Sequence, residues 1–172
     1  MERRFPCFGK SGPIPKPPAS HTWEELMGLA LEAAKSAYAR DEVPVGALVA
    51  DPYGKVYGPL ANCRESLFDP TAHAEILAIR MACRALHNWA LPDCVLVTTL
   101  EPCVMCGSAI LQARLGGIVF GAYDAQAGAI TALDLFDGRQ NTGRTWRMGG
   151  VLEKECSDLL NRFFAGKRSK NA

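Results

Sequence analysis

Two short segments, Thr71-Ala72-His73-Ala74-Glu75 and Glu101-Pro102-Cys103-Val104-Met105-Cys106, constrain this chain of 172 residues more than any other feature. Twenty-six residues separate Glu75 from Pro102. One imidazole and two thiolates are zinc donors, and three protein ligands leave the fourth tetrahedral position open for water, as in a catalytic site rather than a closed structural one. A fold that uses all three must bring two helix starts together across an intervening strand.

The local signals supply those elements. Thr22-Trp23-Glu24-Glu25 reads as a capping box, and a helix follows to about Ala39, with Leu26, Leu29, Ala30, Ala33 and Ala37 at helical spacing on one face. Val45–Ala50 is a short apolar run, hence a buried strand, and Asp51-Pro-Tyr-Gly54 turns it into a second strand, Lys55–Ala61. A loop over 62–71 leads to a periodic helix from about Ala72 to His87. Pro92-Asp93 breaks the chain before a strand, Cys94–Thr99. Pro102 suits a helix start because its missing N–H has no partner there anyway. That helix, Cys103–Ala113, ends at Gly116-Gly117, and Ile118–Gly121 is the next strand. Residues 122–150 read as loops with a helical turn near Leu133, and a final amphipathic helix spans about Glu153 to Ala165. Alternating helices and strands predict an α/β sandwich in one domain.

Placing both segments at helix starts has a chemical consequence. Helix N-termini carry partial positive charge, which favours thiolates. His73 and Glu75 are only two apart, so on a mid-helix surface they would diverge; in a first turn both can approach one metal. Zinc lowers the pKa of its water to about 7. Glu75 beside that water is the general acid/base and not a ligand. His21 and His87 lack ligand spacing.

The other cysteines, Cys7, Cys63, Cys83, Cys94 and Cys156, bring the total to seven. An odd count without a secretion signal argues against a disulfide framework, and these five read as apolar fillers. Arg3-Arg4-Phe5 opens like a twin-arginine signal, but Pro and Gly follow it rather than an apolar stretch. No apolar run approaches the roughly 20 residues that span a bilayer. A cytoplasmic protein without membrane association is expected.

Residues 1–20 hold five of the eleven prolines and are expected to form a disordered extension on which function does not depend. A domain over 21–166 that holds the zinc site and a basic tail over 167–172 complete the predicted organisation. Residues 1–16 carry four basic side chains against Glu2, and residues 139–172 carry eight against three acids. With a net charge of +1 overall, the middle is acidic. Basic ends suit nucleic-acid contact, or are simply solvated.

His-x-Glu followed by Pro-Cys-x-x-Cys resembles the zinc nucleobase deaminases. From about Thr22 to Phe164 the chain resembles the cytidine/deoxycytidylate deaminase-like superfamily, and within it the bacterial tRNA-specific adenosine deaminases. The narrower resemblance rests on Glu42-Val-Pro-Val-Gly-Ala47, Asn62, Asp69-Pro-Thr-Ala-His-Ala-Glu75, Thr99-Leu-Glu-Pro-Cys-Val-Met-Cys106, Val119-Phe-Gly-Ala122 with Asp124, and Phe163-Phe164. It implies a three-layer α/β/α sandwich around a mixed sheet of about five strands. It also implies one zinc per subunit on His73, Cys103 and Cys106, with Glu75 shuttling protons. By the same resemblance the substrate is the wobble adenosine of a tRNA anticodon stem-loop, converted to inosine by a homodimer. The flipped base would lie near Val43, Pro44 and Val45, with Asn62 on its edge, Asp124 close to a neighbouring ribose, and Phe163 or Phe164 offering an apolar surface.

Read without the resemblance, Asn62 is equally a turn residue, and Phe163 and Phe164 are core residues of an amphipathic helix. The chain departs from the family pattern at Tyr123 and Gln126, where Arg and Lys are common, and at Thr142-Gly143, where Asn-His is common. Arg139, Arg144, Arg147, Arg162, Lys167, Arg168 and Lys170 are candidates for phosphate contacts instead. Two other functions fit the motifs: a free-base guanine or cytosine deaminase, and a nucleic-acid-binding module with a structural zinc, in which Glu75 would have no work.

Overall fold

Gly46–Ala50 is a strand whose five residues are all buried. A continuous apolar run cannot alternate between core and water, so both of its faces must be covered. In the computed structural model, which describes residues 7–8, 15–137 and 145–170, they are. The elements run β1 (Cys7–Phe8), α1 (Trp23–Ala39), β2 (Gly46–Ala50), β3 (Val56–Ala61), α2 (Arg64–Leu67), α3 (Ala74–Leu86), β4 (Val95–Leu100), α4 (Val104–Gln112), β5 (Gly117–Ala122), β6 (Trp146–Met148) and α5 (Glu153–Lys170), with a 3₁₀ turn at Leu135–Asp137. The sheet order is β1-β6-β5-β4-β2-β3. The β2–β3, β2–β4 and β1–β6 pairs are antiparallel, and β4–β5 and β5–β6 are parallel. Helices α1 and α5 pack together on one face; α3 and α4 pack together on the other. This is the expected α/β/α sandwich and mixed sheet.

Helix α1 begins at the expected capping box. Glu25 Oε2 accepts the Thr22 N–H at 2.7 Å, and Thr22 Oγ1 accepts the Glu25 N–H at 3.1 Å. Its eight buried residues, from Trp23 to Ala37, include Met27, Leu31 and Ala34, so the buried arc is wider than one stripe. Leu29, expected on that face, falls just outside the arc and is 40% exposed. The helix lies close on β2 because residue 46 is glycine: a Cβ there would overlap the Ala30 carbonyl oxygen.

Strand β4 positions the site. It lies between β2 and β5, and Val95–Thr99 are buried against both layers. Its C-terminal end delivers Glu101-Pro102-Cys103 directly into α4. The turn after α2 delivers His73 into α3 beside it.

Some expectations are corrected. Part of the loop foreseen over 62–71 is the one-turn helix α2. Residues 146–148, foreseen as loop, form β6 in parallel with β5; three residues are too few for periodicity to reveal. The extension over 1–20 is not wholly unstructured. Cys7–Phe8 pairs with β6, Trp23 Nε1 donates to the Pro15 carbonyl at 3.2 Å, Ala19 N–H donates to Pro52 O at 3.2 Å, and Pro18 is buried. Residues 1–6 and 9–14 lie outside the described residues. Nor is 167–172 a separate tail through its length, because α5 runs on to Lys170, as Lys- and Arg-rich sequence readily does. Lys167 Nζ donates to Asp41 Oδ2 at 2.7 Å, tying α5 to the end of α1. No helix among the described residues is long and apolar enough to cross a membrane.

Candidate active site

His73 is the N-cap of α3 and Cys103 the N-cap of α4, both with extended backbone and neither making a side-chain cap bond. An N-cap is ordinarily Ser, Thr, Asp or Asn, whose side chain stabilises the helix by about 1 kcal/mol. Two helices here forgo that and aim their cap side chains at each other. His73 Nδ1 lies 3.8 Å from Cys103 Sγ and 3.5 Å from Cys106 Sγ. The three donor atoms all fall within 4.8 Å of one another, and among the described residues no fourth His, Cys, Asp or Glu joins them. Tetrahedral zinc, with Zn–S near 2.3 Å and Zn–N near 2.0–2.1 Å, sets an N···S edge of about 3.6 Å. The donors therefore fit the ion and leave one corner open.

The thiols are already polarised against each other. Hydrogen bonding from Cys106 is the main reason the Cys103 thiol is held down to about 4, with burial opposing and His73 assisting. The same bond, with burial and the nearby Glu75 carboxylate, pushes Cys106 far up. By contrast, burial raises Cys94 to about 11 and Cys156 to about 12, as befits inert apolar fillers.

Glu75 occupies the first turn of α3 and is 3% exposed. It shares a direction with His73 because His73, in the extended cap conformation, is not on the helical surface at all. Its Oε2 is buried without a hydrogen-bond partner. Burial pushes the carboxyl up to about 7, against the pull of its own backbone and of His73. A buried, unpartnered carboxylate oxygen costs free energy unless something is meant to meet it.

His73, Glu75 and Cys103 line a cavity of about 170 Å³ together with Val43, Val45, Asn62, Arg64, Leu100, Glu101 and Asp124. Drug-sized pockets run to about 300–1,000 Å³, so this one suits a single ring system. Pro44 is buried between two lining residues and is not itself at the wall. Asn62 Nδ2 donates to Glu42 Oε2 at 3.2 Å. Glu42 also accepts the Ser66 and Glu65 amides and the Ser66 hydroxyl. Burial raises its pKa, but those bonds and Arg40 outweigh it and leave the carboxyl below the usual glutamate range.

The two phenylalanines diverge. Phe163 is 6% exposed and stacks edge-on against Tyr38 at 5.7 Å, so most of its ring is packed away. Phe164 is 44% exposed and, with Phe163, Arg40 and Lys167, lines a second hollow that shares Val43 with the first. Arg147, foreseen at phosphate, is instead buried and paired with Asp137 at 2.7 Å. Tyr123 packs edge-on against Phe120 at 5.1 Å, while Gln126 is exposed. Arg162 and Arg168 are exposed. Arg139, Thr142, Gly143 and Arg144 lie outside the described residues, as does the side chain of Lys170.

Sequence reasoning missed Arg64 and Leu100 at the cavity wall, and assigned no work to Glu42 or Glu101. For the two acids a signal existed: each adjoins an apolar run that forms a buried strand, where an acid is rarely tolerated unless well partnered.

Residues 20–122 match the family model described as the cytidine and deoxycytidylate deaminase zinc-binding region. The chain is 40% identical over 148 residues to the tRNA-specific adenosine deaminase of Haemophilus influenzae, covering 86% of each. It is 41% identical to a structure solved in a study of A-to-I editing by tRNA:A34 deaminases at the wobble position, with a TM-score of 0.75 over 79% of this chain and 99% of that one. A guanine deaminase from Nitrosomonas europaea is more distant in sequence, at 25% identity, with a TM-score of 0.71 over 88% of this chain and 87% of that one.

Proposed function

The chain belongs to the cytidine and deoxycytidylate deaminase zinc-binding family, and from that premise we propose that it hydrolyses the wobble adenosine of a tRNA anticodon loop to inosine. One observation carries the chemistry: three metal donors with an open corner stand beside a buried glutamate whose Oε2 has no partner.

His73, Cys103 and Cys106 would hold one zinc ion per chain, which when bound lowers the pKa of its water to about 7 and so makes a nucleophile available at neutral pH. The net reaction exchanges one bond for another: a C6–O bond forms with oxygen from water, the C6–N6 bond breaks, and ammonia leaves. Nothing is oxidised or reduced. Glu75 Oε2 takes one proton from water and delivers it to the ring nitrogen, then takes the second from the new C6 hydroxyl and passes it to the departing amine.

Val43 and Val45 provide apolar walls for a base turned out of the loop, and Asn62, fixed by Glu42, meets its edge. Asp124 faces the attached or neighbouring ribose. Phe164 gives the rest of the loop an apolar surface, and Arg64, at the cavity wall, suits an adjacent phosphate. The working unit is a homodimer in the cytoplasm, as the family resemblance implies.

Free guanine is the competing substrate. The higher identity of the tRNA-directed relatives, 40–41% against 25%, favours RNA. Incubation with an adenosine-wobble anticodon stem-loop, with free guanine and cytosine in parallel, decides the matter. Inosine and ammonia from the stem-loop alone are expected; ammonia only from a free base would overturn the RNA assignment.

A further inference from the structure

We propose that Glu101 is a positioning residue that holds the wall of the pocket around Asp124 in register with the helix start that carries Cys103. Glu101 is 1% exposed, and its carboxylate is met by one loop. Oε2 accepts the Asp124 N–H at 3.0 Å. Oε1 accepts the N–H of Ile130 at 3.1 Å and of Thr131 at 2.7 Å. The Thr131 hydroxyl spans both oxygens, at 3.0 and 2.8 Å. Buried carboxylates are tolerated when their oxygens are bonded in this way, and bonds to an ionised acceptor are about twice as strong as neutral ones.

The loop is fastened at the same place to the metal-site turn. Cys103 and Gly128 form a backbone bridge, and Ala129 N–H donates to Pro102 O at 2.8 Å. Gly128 lets the loop close this far: a Cβ at that position would overlap the Glu101 carboxyl. At the loop's other end, Asp124 Oδ1 accepts the amides of Gln126 and Ala127, so Asp124 holds its own turn while the Glu101 carboxylate holds Asp124. One buried side chain thus fixes both ends of a segment with little regular structure, two residues from Cys103. Glu101 acts through Asp124 and the loop, not on the substrate's reacting atoms.

Glu101→Gln tests this. An amide nitrogen cannot accept an N–H, so either the bond from Asp124 or the pair from Ile130 and Thr131 is lost. Zinc is expected at one per chain, as in the wild type. Amide exchange is expected to speed up at least about tenfold within 124–131 and to stay unchanged in β4 and α3, given the strength of charge-assisted bonds. KM for the anticodon stem-loop is expected to rise at least about tenfold with a smaller change in kcat. Asp124→Ala should raise KM similarly, and the double variant should be no worse than the poorer single one, because both act through one loop. Unchanged exchange in 124–131, a fall in kcat at constant KM, or effects that multiply in the double variant would each overturn the proposal. Should Glu101→Gln fail to fold, Thr131→Val removes only the hydroxyl donor; faster exchange in the loop supports the proposal and unchanged exchange overturns it. The kinetic arm rests on the RNA reading above. The exchange arm needs no substrate, so a chain inactive on adenosine would end that reading and leave this one to be decided separately.

Discussion

His73 Nδ1 lies 3.5 Å from Cys106 Sγ although the two stand 33 positions apart in the chain. Neither residue's own helix dictates that meeting; β4, inserted between β2 and β5, does. Removing either donor should therefore empty the centre without unfolding the sheet. Cys106→Ala is expected to carry well under one zinc per chain, by elemental analysis, and to lose turnover below detection. A metal-free variant that still deaminates would refute the assignment.

Glu75→Gln separates chemistry from metal binding. The variant should keep its zinc and lose at least about 100-fold in kcat, the low end for general acid/base catalysis. Near-normal turnover would leave the buried Oε2 without a catalytic role.

Glu42 should make stability depend on acid. Its pKa in the folded chain lies below the ordinary 4.5, so the folded state holds the ionised form more firmly than the unfolded state does. That contribution is complete above the unfolded value and is lost as pH falls through the folded one. Glu42→Gln cannot titrate, so its stability deficit relative to wild type should shrink between about pH 6 and about pH 3 in denaturant melts. A deficit independent of pH would contradict this.

Gly46→Ala drives a methyl into the Ala30 carbonyl oxygen, which is backbone and cannot rotate away. A loss of at least about 2 kcal/mol is expected, within the usual cost of overpacking. Thermal unfolding within a degree of wild type would mean that α1 shifts freely over β2.

Lys167 and Asp41 are both substantially exposed, 40% and 62%, so Lys167→Ala should cost less than about 1 kcal/mol. Deleting 168–172, beyond that ion pair, should weaken stem-loop binding and flatten its salt dependence, since each lost phosphate contact releases one fewer counterion. Unaltered affinity would show the basic end of α5 to be only solvated.

Much of this molecule was legible before its coordinates. Thr22 and Glu25 announced α1, and Pro102 announced the start of α4, because caps and prolines act through local geometry. The donor set was legible because few residue types bind zinc and their spacing is peculiar. What stayed hidden depends on non-local pairing. Strand β6 is too short to show a period, and the cover over Phe163 includes Tyr38, which α1 supplies. Arg147 looked like a free surface cation, yet Asp137 and Phe136 enclose it. Glu42 and Glu101 were in plain view as letters, but their partners lie 20 to 30 positions further along the chain.

Because β4 stands between the two cap residues in sequence and is a central strand in the sheet, the ion can be held only while the sheet is intact. A substitution in the distant hairpin that loosens the sheet would surface first as under-loaded protein in a preparation, with the donors themselves untouched. Elemental assay of a purified sample can thus serve as a foldedness gauge, and a metal-poor natural variant need carry no change at His73, Cys103 or Cys106.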